Sequence, residues 1–262
     1  MPSRSVNGTT LNYQEQGTGR PLVLLHGFPL DARVWREQIA ALSGGFRVIA
    51  PDLRGFGQSK SNDPFTMESL ADDVHALLAD IGALPCVLGG LSMGGYVALA
   101  YAKKYPTDLL GLALIDTKAQ GDTPEGKEGR QKMIELARSR GARGVAEQMM
   151  PKMLASDADT SRPQVKRELD QVMNDQSPLT IEHALAAMRD RPDFTAHLPS
   201  IATPTLVIVG EHDAITPPAG AEAMSRAIPK STYVVVRGAG HMAPMEQPQQ
   251  VSEALRRFSG SV

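Results

Sequence analysis

Ser92 stands between two pairs of glycines in the stretch CVLGGLSMGGYVAL, residues 86–99. A serine hydroxyl is a poor nucleophile near neutral pH and needs a base beside it and a backbone that pushes it into the open. Gly90-Leu91-Ser92-Met93-Gly94 has the G-x-S-x-G pattern of a sharp strand-to-helix turn that exposes such a hydroxyl. Glycines on both sides allow the strained turn and a close approach of strand and helix. A glycine-rich connection that merely contains a serine is the competing reading. The flanks decide against it, because an apolar run precedes the motif and a helical pattern follows.

The base must come from six histidines. His75, His183 and His197 fall in helical or linker segments and are expected to be surface or packing residues, and His26 in LLHGFP is expected to be structural in its loop. His241, in RGAGHMAP, follows the final strand on a loop with Gly238 and Gly240, from which it can reach over the sheet edge; His212, in GEHDAITPP, is the second choice. A carboxylate must then fix the tautomer of the base and stabilise its charged form. Asp213 follows strand 203–210 and Asp116 ends strand 109–115. Asp213 is preferred because adjacent loops on adjacent strands bring acid and base together, while Asp116 reads more simply as a cap for the next helix. Two backbone N–H groups should receive the oxyanion. Met93 offers one at the start of a helix, and Phe28 the other, since Pro29 has none.

Alternating elements are needed to place these residues. Short apolar runs predict strands at 21–26, 46–53, 85–89, 109–115, 203–210 and 231–238. Helical spacing predicts helices near 32–42, 66–82, 95–105 and 217–227, with a last one from about 246. Strands alternating with helices indicate a mostly parallel, doubly wound α/β sheet. Residues 118–195 interrupt the pattern with helical segments near 125–140, 143–155, 162–175 and 178–189 and hold six of the twelve methionines. The expected organisation is a core of 1–117 and 196–262 with a helical cap inserted at 118–195. Met149, Met150 and Met153, with Pro29 and Met242, are candidates for an adaptable apolar substrate pocket, although helical spacing also suits core packing.

Bulk properties narrow the partners. A net charge of −2 gives no reason to expect nucleic acid or an anionic membrane surface. The single cysteine, Cys86, cannot form an internal disulfide and suits a reducing compartment; its apolar strand suggests packing. The polar N-terminus shows no apolar signal region, and runs such as LLGLALI (109–115) are too short to span a bilayer. A soluble cytoplasmic protein acting on a small molecule, without metal or cofactor, is the expectation.

LLHGFP, DLRGFGQS, GLSMGGYVAL, LVIVGEHDAITP and GAGHMAPMEQP occur in that order, and together they resemble the α/β-hydrolase superfamily over nearly the whole chain. Within it the chain is most similar to capped carboxylesterases and 3-oxoadipate enol-lactonase-like hydrolases. The resemblance implies a triad of Ser92, Asp213 and His241, an oxyanion hole at Phe28 and Met93, and a structural role for loop 52–59, with Arg54 and the glycines shaping the entrance. It implies hydrolysis of short to medium acyl esters through an acyl-enzyme. Alternatives with the same triad are an enol-lactonase, for which Arg138, Arg140, Arg143 and Lys152 of the insertion could meet a free carboxylate, and a cofactor-free perhydrolase of the haloperoxidase type, which also carries a proline where this chain has Pro29. A carbon–carbon bond hydrolase is less suited to an insertion without aromatic residues before Phe194. A ligand receptor on the same fold is the non-enzymatic alternative.

Overall fold

Residues that alternate across a strand must find apolar cover on both faces when helices flank the sheet, and the strands here obey that requirement. The computed structural model describes residues 1–262, the side chain of Asp159 excepted. In chain order the strands are β1 (Ser3–Val6), β2 (Thr9–Gln16), β3 (Pro21–Leu25), β4 (Arg47–Pro51), β5 (Cys86–Leu91), β6 (Leu109–Ile115), β7 (Thr205–Gly210) and β8 (Ser231–Val236). They form one sheet in the order β1-β2-β4-β3-β5-β6-β7-β8, antiparallel at β1–β2–β4 and parallel from β4 onward. Val23, Leu25, Leu88, Leu112, Leu114, Val207 and Val209 pack on one face. Their neighbours Leu22, Leu24, Val87, Ala113, Ile115, Leu206 and Ile208 pack on the other.

The helices are α1 (Arg36–Leu42), α2 (Met67–Asp80), α3 (Met93–Lys104), α4 (Pro124–Met153), α5 (Ala158–Ser161), α6 (Pro163–Asn174), α7 (Pro178–Asp190), α8 (Pro218–Ala227), α9 (Ala243–Glu246) and α10 (Pro248–Ser261). Helices α2 and α3 cover the first face, and α1 and α10 the second. Between β6 and β7 the chain is helical from α4 to α7, with α4 broken at Gly141, whose φ of 64° and ψ of −163° suit only glycine. This insertion straddles both faces: Ile134, Val145, Ile181 and Leu185 join one core cluster, and Met153, Leu169 and Met173 join the other.

The N-terminal hairpin departs from the sequence expectation, which places no strand in residues 1–20. Asn7 and Gly8, at φ 47° and 76°, turn β1 into β2. That Asn-Gly pair is a hairpin signal, but the polar, half-exposed strands around it lack an apolar run. Chain progression reverses between β3 and β5, which lie side by side; this is where an open α/β sheet opens a crevice at its carboxyl edge. No helix among the described residues is long and apolar enough to cross a membrane.

Candidate active site

The loops after β3 and β5 meet at that crevice. Ser92 follows β5 and precedes α3 at φ 51°, ψ −111°, a region that non-glycine residues rarely occupy. Its surroundings hold it there. Ser92 N–H donates to Ile115 O at 2.9 Å, and Thr117 Oγ1 donates to Ser92 O at 2.7 Å. A Cβ on Gly94 would lie 2.5 Å from Leu25 O and 2.6 Å from His26 O, so only glycine lets α3 start this close to the end of β3.

His241 Nε2 lies 2.9 Å from Ser92 Oγ, and His241 Nδ1 lies 2.8 Å from Asp213 Oδ2. The carboxylate can only accept, so the proton sits on Nδ1 and leaves the Nε2 lone pair facing the serine hydroxyl. Asp213 is fixed in turn: Ile215 N–H and Thr216 N–H donate to Oδ1 at 2.8 and 2.9 Å, and Thr216 Oγ1 donates to Oδ2 at 2.6 Å. Burial pushes the Asp213 carboxyl up, but His241 and these donors outweigh it and hold the group below the ordinary carboxylate range.

On the other side of Ser92, a Cβ on Gly27 would lie 3.3 Å from Ser92 Cβ, so the 27–29 loop rests against the serine. The N–H groups of Phe28 and Met93 have no acceptor among the described residues, as the start of a helix leads one to expect for Met93. His26 keeps this loop in place: Nδ1–H donates to Gly27 O at 2.8 Å, and Nε2 accepts Leu53 N–H at 3.0 Å. Burial lowers its pKa, which suits a neutral imidazole acting as a spacer. The Phe28–Pro29 peptide is cis and buried.

Asp116 does not cap the insertion; the side chain of Thr123 begins α4 instead, accepting from Gly126 N–H at 3.2 Å. Asp116 Oδ1 accepts Gly210 N–H at 2.7 Å and Oδ2 accepts Ala243 N–H at 3.2 Å. It therefore joins the Asp213 and His241 loops without touching the imidazole. Burial and the neighbouring Asp213 raise its pKa well above the usual range. His212 is more than half exposed and lies 3.8 Å from Glu211, outside the site. Glu246, which no sequence motif marks, is buried close to His241, with Gly240 N–H and Ala155 N–H donating to it at 2.7 and 2.9 Å.

Other expected positions divide. Met153 and Met242 are buried in one core cluster, while Met149 and Met150 are half-buried, Met150 packing against that cluster and Met149 against both. Arg138 pairs with Glu182, and Arg140 and Arg143 pair with Glu147, on exposed surface; Lys152 is exposed. Arg54 grips Asp73 of α2, with both bonds at 2.7 Å, so it anchors loop 52–59 to the core. The part of that loop facing the insertion is glycine, with Thr180 Oγ1 donating to Gly55 O at 3.1 Å and Gly57 N–H donating to Gln176 Oε1 at 3.1 Å. Cys86 is buried, and burial pushes its thiol up to about 12. Among the described residues, no group of three or more His, Cys, Asp or Glu is placed to hold a metal ion.

Residues 20–248 match the family model described as alpha/beta hydrolase fold. A solved thermophilic esterase from Thermogutta terrifontis, with malate bound, is 44% identical with a TM-score of 0.95, covering 99% of this chain and 96% of that one. The enol-lactonase from Burkholderia xenovorans LB400 is 29% identical with a TM-score of 0.91, covering 98% and 99%. The pimeloyl-[acyl-carrier protein] methyl ester esterase of Xanthomonas oryzae is 30% identical over 94% of this chain and 97% of its own length.

Proposed function

The chain belongs to the alpha/beta hydrolase fold family, and from that membership we propose that it is a serine esterase cleaving carboxylic esters of short to medium acyl chain. The observation that carries this reading is the continuous relay from Ser92 Oγ to His241 Nε2 at 2.9 Å and from His241 Nδ1 to Asp213 at 2.8 Å. Ser92 Oγ attacks the ester carbonyl while His241 takes its proton, and the carbonyl oxygen becomes an oxyanion received by the Phe28 and Met93 N–H groups. Losing one such donor typically costs about 3–4 kcal/mol of barrier, so two supply a large share of the catalysis. The tetrahedral adduct expels the alkoxide, which His241 protonates, leaving the acyl group on Ser92. Water then gives its proton to His241 and attacks the acyl carbonyl. Collapse releases the acid and returns the proton to Ser92. The insertion at 118–195 serves as the cap over this site, with Met149 and Met150 at its lining.

Lactone opening follows the same steps, and the likeness to an enol-lactonase keeps it as the second reading. Against a substrate with a free carboxylate stands the pairing of Arg138, Arg140 and Arg143 with surface acids. Ser92→Ala should abolish nearly all hydrolysis of 4-nitrophenyl butyrate while the protein stays folded, and an organophosphate should label Ser92 alone. An active Ser92→Ala protein, or stoichiometric label elsewhere, removes the mechanism. The absence of any steady-state turnover across acyl esters, lactones and peracid formation would point to a receptor.

A further inference from the structure

Glu246 lies on α9, and its side chain is fully buried. Its two oxygens face two different parts of the molecule. Oε1 accepts the N–H of Gly240, the residue before His241, at 2.7 Å. Oε2 accepts the N–H of Ala155, just beyond the end of α4 in the insertion, at 2.9 Å. Arg162, which precedes α6, brings Nη2 to 3.7 Å from the same oxygen. Gly240 has no room for a side chain: a Cβ there would lie 2.5 Å from Ala155 N, 2.6 Å from Leu154 C and 3.1 Å from Glu246 Oε1. The insertion's backbone thus presses directly on the loop that carries His241, and one glutamate is hydrogen-bonded to both.

Burying a carboxyl is expensive, and it is tolerated where its donors are well placed. Here two carboxyls flank one short loop. Glu246 holds Gly240 on the side that faces the insertion, and Asp116, at the end of β6, holds Ala243. The charged groups around this loop are Asp213, Asp116, Glu246 and Arg162. Of these, only Glu246 connects His241's loop to the insertion by hydrogen bonds at both ends.

We propose that Glu246 is a positioning residue that transmits the seating of the cap, through Ala155 and Gly240, to the aim of His241 at Ser92. The inference rests on the reading of His241 as the general base. With the cap seated, Gly240 is fixed and Nε2 points at the hydroxyl. With the cap displaced at Ala155, Glu246 loses one of its two backbone donors and with it the fixed position from which it holds Gly240. A misplacement of about 1 Å in a reacting group can cost on the order of 10²-fold in rate.

Glu246→Gln keeps the shape but replaces one accepting oxygen by an NH2 group that cannot accept. With 4-nitrophenyl butyrate it should lower kcat about tenfold or more while KM stays within about twofold, a scale set by that positional sensitivity. The downfield proton resonance of His241 Nδ1–H, which reports its bond to Asp213, should shift or broaden. Ala155→Pro removes the donor from the cap side and leaves the carboxyl in place. It should reproduce the kcat loss, and the double variant should be no slower than the slower single one, because both act on one link. A folded Glu246→Gln protein with wild-type kcat and only a lowered Tm would overturn the proposal, as would a loss confined to KM. Should Glu246→Gln fail to fold, a folded Ala155→Pro protein with wild-type kcat overturns it equally. Activity surviving in Ser92→Ala or His241→Ala would instead remove the reading of the site on which the proposal stands.

Discussion

Asp116 and Asp213 are both buried at the ends of neighbouring strands, and each raises a different question about charge. Asp213 touches His241, whereas Asp116 spends both oxygens on the N–H groups of Gly210 and Ala243. Asp213→Asn should lower kcat by about 10⁴, by favouring the wrong imidazole tautomer, as in the serine-protease triad. Asp116→Asn should cost far less on the same ester, and the reverse ranking would move the acid role to Asp116. A second readout is the pH dependence of its stability. The folded Asp116 carboxyl titrates well above the unfolded value of about 3.9, so the native state holds its proton longer than the unfolded chain. Its contribution to stability is present at low pH and is lost as pH rises through the folded value. The stability deficit of Asp116→Asn should therefore shrink from acid toward neutral pH in denaturant melts. A deficit that widens toward neutral pH would show the wild-type carboxyl to be favoured when ionised. That Ser92, Asp213 and His241 come together is legible in the sequence, because each follows an apolar strand and has a chemistry of its own. The place of Glu246 is not, because its partners are backbone N–H groups, which every residue but proline carries and no motif records.

The turn from β5 into α3 depends on close backbone approach more than on any side chain. Gly94→Ala would drive a methyl to 2.5 Å from Leu25 O, prising α3 from the end of β3 and the Phe28 N–H from the Met93 N–H. Overpacking of this kind costs about 1–3 kcal/mol. The variant should lose that much stability in urea unfolding and a larger share of kcat than of substrate affinity. Loss of stability with unchanged kcat would mean that the two N–H groups do not act together. The parallel strands could be read from the sequence because burial on both faces leaves unbroken apolar runs, as in β3, β5 and β7. The β1–β2 hairpin could not be read that way, since half of its residues face water. Helix breaks in the insertion were also visible, with Gly141 falling between the two expected segments.

At the scale of the whole molecule, the insertion is docked to the core at several separate points. Gln176 donates to Asp31 at 2.9 Å, Arg33 pairs with Asp175 at 2.8 Å, Thr180 reaches Gly55 at 3.1 Å, and Ala155 is held by Glu246 at 2.9 Å. On the proposed reading of this segment as the cap of a serine esterase, a cover fastened in this way should admit small esters and turn away polymers and lipid droplets. Rates on 4-nitrophenyl esters should rise with chain length, by up to about 0.8 kcal/mol of binding per methylene that fits, and then fall steeply. No jump in rate should accompany the passage above substrate solubility. A preference for C16 over C4, or such a jump, would mean that the insertion opens at an oil–water interface. The two ends of the insertion are also fastened to each other. Phe194 N–H donates to Ala119 O at 2.9 Å, and Arg191, resting 4.1 Å from the Tyr96 ring centre, pairs with Asp122 at 3.0 Å. A segment whose entrance and exit are sewn together can be lengthened, shortened or exchanged as a cassette without rerouting β6 or β7. On the proposed reading of the insertion as a cap, substrate range and bond-breaking apparatus could then be altered independently of each other.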